Sequence, residues 1–374
     1  MRIFSVTMAP ISPPYDDGPK NIVMALAKKL PMHDYYFVSS RKRSFPHTAN
    51  TIFIKSPFQR TGRHSMALFQ KIYIFFLTVL YKSRMDLFQF FFTPQPYFSF
   101  IFRRLLKNKR SIQIVSSIHT LLEKNGEDAI GSLFFSDYVV VHSEYARQKL
   151  AEKNVKNIVK IYPAIEEERF NGVTAPDSCG EVRIVYPGTY KVLADAYSLG
   201  DFCKIALRVK DEVSNARFVM ACRIRTREDS GLEKRFKSLV RECGLERSFT
   251  FLNTIDEMPS FLKGCSIGIM PARRPMSGIL EIPLVLLELA ILGKPVVYGN
   301  VPPLGELDSR GLGIMVSDDS CESYAKAIIK CVNDGGYASM VGERSRNAVR
   351  VDFTIDIAAG EYQRLYKVLQ DKDE

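Results

Sequence analysis

The chain has 374 residues and a mass of 42.5 kDa, and at roughly 150 residues per domain this length predicts two domains or three. Hydrophobic usage of 46% and charged usage of 25% exclude a largely disordered chain, and seven cysteines without a CxxC argue against a disulfide framework or zinc ribbon and suit reduced thiols in a cytosol. The net charge of +11 is lopsided: residues 1–160 hold 24 basic and 10 acidic side chains, whereas the remainder holds 28 and 31, so a polyanionic partner is expected for the first half alone.

Strand and helix signals alternate along the chain. Arg2–Met8 reads as a first core strand; its apolar run is too short, and lacks the small-residue cleavage site, of a signal peptide. A turn-rich loop runs from Pro10 to Gly18, and then Ile22, Val23, Leu26, Ala27 and Leu30 share one helical face. Tyr35–Ser39 and Thr51–Ile54 are strands. Met66–Tyr81 is apolar apart from Gln70 and Lys71, yet a spanning helix needs about 20 apolar residues, so this one is amphipathic or core. Leu87–Phe92, Ser111–Ile118 and Tyr138–Val141 are short continuous apolar runs, as in buried parallel strands.

The pattern restarts near residue 180. Val182–Tyr186 is a strand, Asp201–Val209 a helix and Arg217–Cys222 a strand. Leu232, Phe236, Leu239, Val240 and Cys243 follow helical spacing up to a stop at Gly244. Strands Phe249–Leu252 and Ser266–Met270 precede a helix Leu284–Leu292, closed by Gly293, and a strand Val296–Tyr298. Helices at Tyr324–Val332 and around Tyr362, Leu365, Tyr366 and Leu369 complete the chain. Two rounds of alternation mean two parallel-sheet α/β domains, 1–165 and 181–352, with a linker 166–180 that lacks periodicity and a last helix in 353–374. Paired domains of this kind bind ligands in the cleft they face, at the carboxyl ends of the strands.

The sharpest segment is PLVLLELAILGKPVVY, Pro283–Tyr298. A helix apolar almost all round is buried, and Glu288 is the one charge inside it. A buried carboxylate needs a donor: either a local pair, or ligand hydroxyls in the cleft. His119 follows the strand Ile112–Ile118; as a lone histidine it is either a core residue or a neutral imidazole that hydrogen-bonds a ligand. Glu123, Glu127 and Asp128 read as surface charges. No HExxH, Walker loop, GxSxG or GxGxxG is present, so metalloprotease, P-loop, hydrolase and nicotinamide readings lack their signatures.

In order along the chain, PPYDDGPKNIVMALAKKL, SSIHT, VVVHSEYARQKL, VKIYPAIEEERF and PLVLLELAILGKPVV together resemble family 4 glycosyltransferases of the GT-B fold. The resemblance covers nearly the whole chain. It implies two Rossmann-like domains facing across a cleft, a final helix that crosses back to the first domain, and retaining transfer from a nucleotide-diphosphate sugar without an obligatory metal or cofactor. By the same resemblance Glu288 binds the ribose hydroxyls, Pro283 and Leu284 start a helix aimed at the diphosphate or sugar, and His119 lies by the reacting sugar. Asp17 and Gly18 then belong to the acceptor loop.

Three positions depart from the family pattern. Its first Glu lies eight residues before the second, at Leu280 here, and the nearest carboxylate is Glu281; either the loop differs by one residue or the sugar is held otherwise. Gly188 is kept, but Thr189 stands for the family's Arg and Ala194 for its Lys. Lys191, Arg223, Arg273 and Arg274 are the cations left to meet a diphosphate, or they are a solvated surface.

The expected protein is a cytoplasmic transferase acting on a glycan or lipid-linked acceptor. Its rival is an inactive GT-B binding or scaffold protein. No nucleic-acid partner is expected, since Phe88, Phe90, Phe91, Phe92, Phe98, Phe100 and Phe102 crowd the basic half. They favour an anionic membrane surface, with the protein peripheral at the inner face, unless they only fill the core.

Overall fold

A computed structural model of the chain describes residues 1–7, 11, 18–39, 48–57, 68–92, 94–176, 180–224 and 226–371. Contacts divide the chain into two units. The first is Met1–Ala164 with Ile279–Glu281 and Ile355–Glu374; the second is Ile165–Gly278 with Ile282–Thr354.

The apolar runs of the first unit form seven strands: β1 (Arg2–Thr7), β2 (Asp34–Ser39), β3 (Thr51–Lys55), β4 (Leu87–Phe91), β5 (Arg110–Val115), β6 (Tyr138–Val141) and β7 (Ile158–Lys160). All pair in parallel, in the order β3-β2-β1-β4-β5-β6-β7. Its helices are α1 (Gly18–Lys29), α2 (Leu68–Tyr81), α3 (Pro96–Leu105), α4 (Ile118–Asn125), α5 (Ile130–Leu133) and α6 (Glu144–Glu152). The central strand β4, LFQFF, is buried at every residue, as a parallel strand covered on both faces must be. Phe4, Val6, Phe88 and Phe90 pack under Ile74 and Leu77 of α2 and Phe102 of α3.

The second unit repeats the plan with β8 (Val182–Tyr186), β9 (Ala216–Ala221), β10 (Phe249–Leu252), β11 (Ile267–Met270), β12 (Val296–Gly299) and β13 (Ile314–Val316), all parallel in the order β10-β9-β8-β11-β12-β13. Its helices are α7 (Tyr190–Ala196), α8 (Leu199–Glu212), α9 (Arg227–Glu242), α10 (Met258–Lys263), α11 (Leu284–Ile291), α12 (Glu306–Ser309), α13 (Cys321–Asn333) and α14 (Gly335–Asp352). Strand order reverses between β1 and β4, and again between β8 and β11, the two switch points of doubly wound sheets. The last helix, α15 (Ile355–Gln370), belongs to the first unit.

Capping chemistry accounts for the main departures from the sequence reading. The strand expected over 111–118 stops at Val115, because the Ser117 side chain accepts the Thr120 N–H at 3.2 Å and starts α4. His119 therefore sits in the first turn of a helix, not at a strand end. The prolines after β4 do not merely break an apolar run. Pro96 occupies the start of α3, where its missing N–H costs nothing. The 18-residue helix α14 was not legible, having no clean apolar stripe, and residues 166–180 carry a 3-10 turn, Glu167–Phe170, whose Phe170 is buried.

Three contacts fasten α15 within the first unit. Tyr366 Oη donates to Gln89 Oε1 at 2.6 Å, His33 Nε2 lies 2.8 Å from Gln363 Oε1, and Lys29 pairs with Asp356 at 2.8 Å. Tyr366 and Tyr362 are both fully buried, but the Tyr362 hydroxyl has no partner among the described residues. Removing a buried hydrogen-bonding hydroxyl costs about 1–3 kcal/mol when its partner is left unsatisfied, whereas removing an orphan hydroxyl does not. Denaturant melts are expected to show Tyr366→Phe destabilised by that amount and Tyr362→Phe neutral or stabilised. Equal losses would contradict this account of the packing.

Candidate functional site

Helix α11 is apolar on every side but one, and Leu286, Leu287, Leu289, Ala290 and Ile291 are all buried. Gly268 of β11 lets it come close: a Cβ there would lie 2.4 Å from Leu289 Cδ1. The same packing takes Glu288 out of water, at 7% exposure. Among the described residues, nothing donates a hydrogen bond to its carboxylate. Burial pushes the Glu288 carboxyl up to about 7, with the charge of Arg169 pulling the other way. A local cap or pair, one of the two readings of Glu288, is thus not what the helix provides. At the start of α11 Pro283 has no side chain that can cap, and among the described residues no side chain claims the first N–H groups, those of Leu284 and Val285.

The loops that leave the neighbouring strands β9, β8 and β11 at their carboxyl ends carry the other second-unit candidates. Gly188 follows β8. A Cβ there would meet the Tyr186 hydroxyl at 2.5 Å, and Tyr186 Oη donates to the Thr189 carbonyl at 3.2 Å. Glycine is therefore required here by a close approach, whatever else the turn does. Thr189 caps α7 by accepting the Val192 N–H at 3.1 Å, so this residue holds the helix start itself.

The cations differ sharply from one another. Lys191 lies 2.9 Å from Asp195 and 3.1 Å from Glu228, and hydrogen bonds to those two carboxylates raise its ammonium to about 12. Arg273 pairs with Asp201, donates from Nε to the Asp319 carbonyl at 3.2 Å and lies 4.2 Å over the Tyr197 ring. Arg223 is half-buried after β9. Arg274 is exposed, and its guanidinium has no carboxylate partner among the described residues. Asp195, at i+4 from Lys191, was readable from spacing; Asp201 and Glu228 were not, being distant in sequence.

Glu281 behaves unlike Glu288. It belongs to the first unit, is buried, accepts the Ile118 N–H at 2.7 Å, and accepts a very short hydrogen bond from Ser143 Oγ. Its carboxylate thus joins the N-termini of α4 and α6, where helix dipoles favour negative charge. Ser143 was a missed residue; its place before EYARQKL, as the cap of α6, was the available signal. His119 stacks on Tyr145 of α6 with ring centroids 5.3 Å apart. His142, at the end of β6, is a core histidine: Nδ1 donates to the Ile161 carbonyl at 2.8 Å and burial pushes its pKa down to about 4. Gly18 opens α1, and Asp17 lies outside the described residues.

The isolation of Glu288 sets a pH dependence. The folded protein keeps this proton up to about 7, while an unfolded chain releases it near the ordinary glutamate value of 4.5. Between these values the folded state binds more protons, so stability falls as pH rises through the window. Glu288→Gln removes that penalty. Denaturant melts are expected to show the variant more stable than the parent by about 3 kcal/mol at pH 8, with the gap closing near pH 4.5. A pH-independent difference would contradict the assignment.

The model of the family described as Glycosyl transferases group 1 matches residues 181–334. An uncharacterized glycosyltransferase of Methanocaldococcus jannaschii is 24% identical over 254 residues, spanning 65% of this chain and 65% of that relative's length. Among solved structures, HepE of Anabaena in complex with UDP and glucose is similar with a TM-score of 0.76 at 12% identity, covering 98% of this chain and 99% of its own. Sucrose-phosphate synthase of Thermosynechococcus elongatus reaches 0.77 at 16% identity, covering 99% of both chains. Residues 181–334 are thus similar to the group 1 glycosyltransferases, and the chain has the GT-B fold of two doubly wound parallel-sheet units.

Proposed function

We propose that the protein transfers a glycosyl group, with retention, from a nucleotide-diphosphate sugar to a hydroxyl of a glycan or lipid-linked acceptor. The observation that carries this reading is the buried Glu288 carboxylate, to which nothing among the described residues donates a hydrogen bond. A vicinal diol supplies two O–H donors to one carboxylate, which is what the ribose of a nucleotide offers. Uridine is the favoured base, since HepE, similar in fold, is described in complex with UDP-glucose.

In this reading the diphosphate lies at the start of α11, where the N–H groups after Pro283 and the positive end of the helix favour an anion. Arg274 is better placed to add charge than Lys191 and Arg273, which are already held by carboxylates. In the step itself the bond from the anomeric carbon to the diphosphate oxygen breaks. The acceptor oxygen bonds to the same face, and its proton passes to the departing diphosphate. His119 hydrogen-bonds the sugar, and Glu281 acts on the donor indirectly, by fixing the start of the helix that carries His119. The work is proposed to be cytoplasmic.

The rival reading, a donor-binding protein without transferase activity, draws on the Thr189 cap in place of a cation and on the neutralised Lys191 and Arg273. Calorimetry and donor turnover separate the two. Glu288→Ala is expected to lose about 1.5–3 kcal/mol of UDP affinity while remaining folded. Wild type is expected to hydrolyse the donor slowly without acceptor, and His119→Ala to lose that turnover while still binding UDP. Unchanged UDP affinity in Glu288→Ala removes the ribose role; tight binding without turnover favours the rival.

A further inference from the structure

Exposed apolar side chains are concentrated on two helices of the first unit. Phe69, Ile72, Phe76 and Leu80 stand out from α2 at 66%, 53%, 56% and 51% exposure. Their spacing of three, four and four residues puts them on one stripe. Tyr97 and Phe100 stand out from α3 at 71% and 51%. The opposite side of α2, through Ile74 and Leu77, is already used by the core. This helix therefore has two apolar faces, and among the described residues the core covers one of them. The two helices are tied together: Lys71 Nζ donates to Gln95 Oε1 at 3.1 Å and lies 5.0 Å over the Phe98 ring, and the Phe75 and Phe102 rings are 6.3 Å apart.

The charge around this face has one sign. Residues 35–122 contain 14 Lys and Arg and a single acid, Asp86, which is bound by Arg2 at 3.2 Å. Lys82 and Arg84 follow α2; Arg104 and Lys107 lie at the end of α3 and beyond, exposed, with the Arg104 guanidinium 4.1 Å over the Phe100 ring. An apolar stripe rimmed by cations matches a bilayer with anionic headgroups. It does not match a second copy of itself, because the two rims would repel. Nucleic acid would use the cations but gain nothing from Ile72 and Leu80. The geometry also limits depth. Fourteen residues of α2 span about 21 Å, short of a hydrocarbon core of about 30 Å, and no helix among the described residues is long and apolar enough to cross a membrane.

We propose that the α2–α3 face of the first unit docks on an anionic lipid bilayer, with Phe69, Phe76 and Phe100 entering the headgroup boundary and Arg104 and Lys107 on lipid phosphates. The Phe-rich run is thereby divided by the fold: Phe88, Phe90, Phe91 and Phe102 fill the core, and Phe100 faces out. The proposal does not depend on the donor chemistry.

The chain contains no tryptophan, so a single substitution makes a clean reporter. Phe76→Trp is expected to shift to the blue on phosphatidylcholine vesicles that contain phosphatidylglycerol, more so as the anionic fraction rises, and to be quenched by brominated acyl chains. Met340→Trp, exposed on α14 of the second unit, is the control and is expected to stay unshifted. In the Phe76→Trp background, Phe69→Ser with Ile72→Ser is expected to weaken vesicle partition about tenfold or more, and Arg104→Glu with Lys107→Glu to abolish its dependence on anionic lipid. Circular-dichroism melts verify that these surface variants stay folded. No blue shift on any vesicle overturns the proposal. So does a dimer that Phe69→Ser dissociates without changing lipid binding, or retention on RNA that outlasts the stripe while vesicle binding is absent.

Discussion

A buried carboxylate in an apolar helix, without a donor among the described residues, is the constraint on which the reading of the second unit depends. Helix α11 is too hydrophobic to face water, and its close seat against β11 at Gly268 takes Glu288 into the interior with it. Little water reaches the charge, and no protein group among the described residues replaces it. Burial answers by raising the carboxyl to about 7. In the proposed function, a ligand supplies the missing donors and offsets this cost.

The contrast with Glu281 sharpens this. Both carboxylates are buried, and they are seven residues apart in sequence. Glu281 is satisfied by the Ile118 N–H and the Ser143 hydroxyl, at two helix N-termini, and so serves the framework of the first unit. Glu288 is left unsatisfied. The cations divide in the same way: Lys191 and Arg273 are tied to local carboxylates, and Arg274 is not. Local partners, more than residue type, separate the groups that hold the fold from those that the proposed function gives to a ligand.

Much of the fold was legible because its signals are local. The continuous apolar runs of β4, β6 and β8 and the glycine stop after α11 fixed these elements to within a residue. Capping was less visible. Ser117 looked like part of a strand until its side chain was seen to accept from Thr120, and this one bond moved His119 from a strand end into a helix. Helix α14 has mixed faces that blur its period. At the site, the solitary Glu288 could be read from its apolar surroundings. The claims of Asp201 on Arg273 and of Ser143 on Glu281 could not, since they join residues 72 and 138 positions apart.

Proton release on binding tests the role of Glu288 most directly. With the carboxyl near 7, roughly half of the molecules carry this proton at neutral pH. Hydrogen bonds from a ribose diol favour the charged form and should expel it. Titration of UDP into the protein at pH 7, in buffers of different ionisation enthalpy, is predicted to release about half a proton more from wild type than from Glu288→Gln. Equal proton release from the two proteins, with UDP bound by both, would contradict the account.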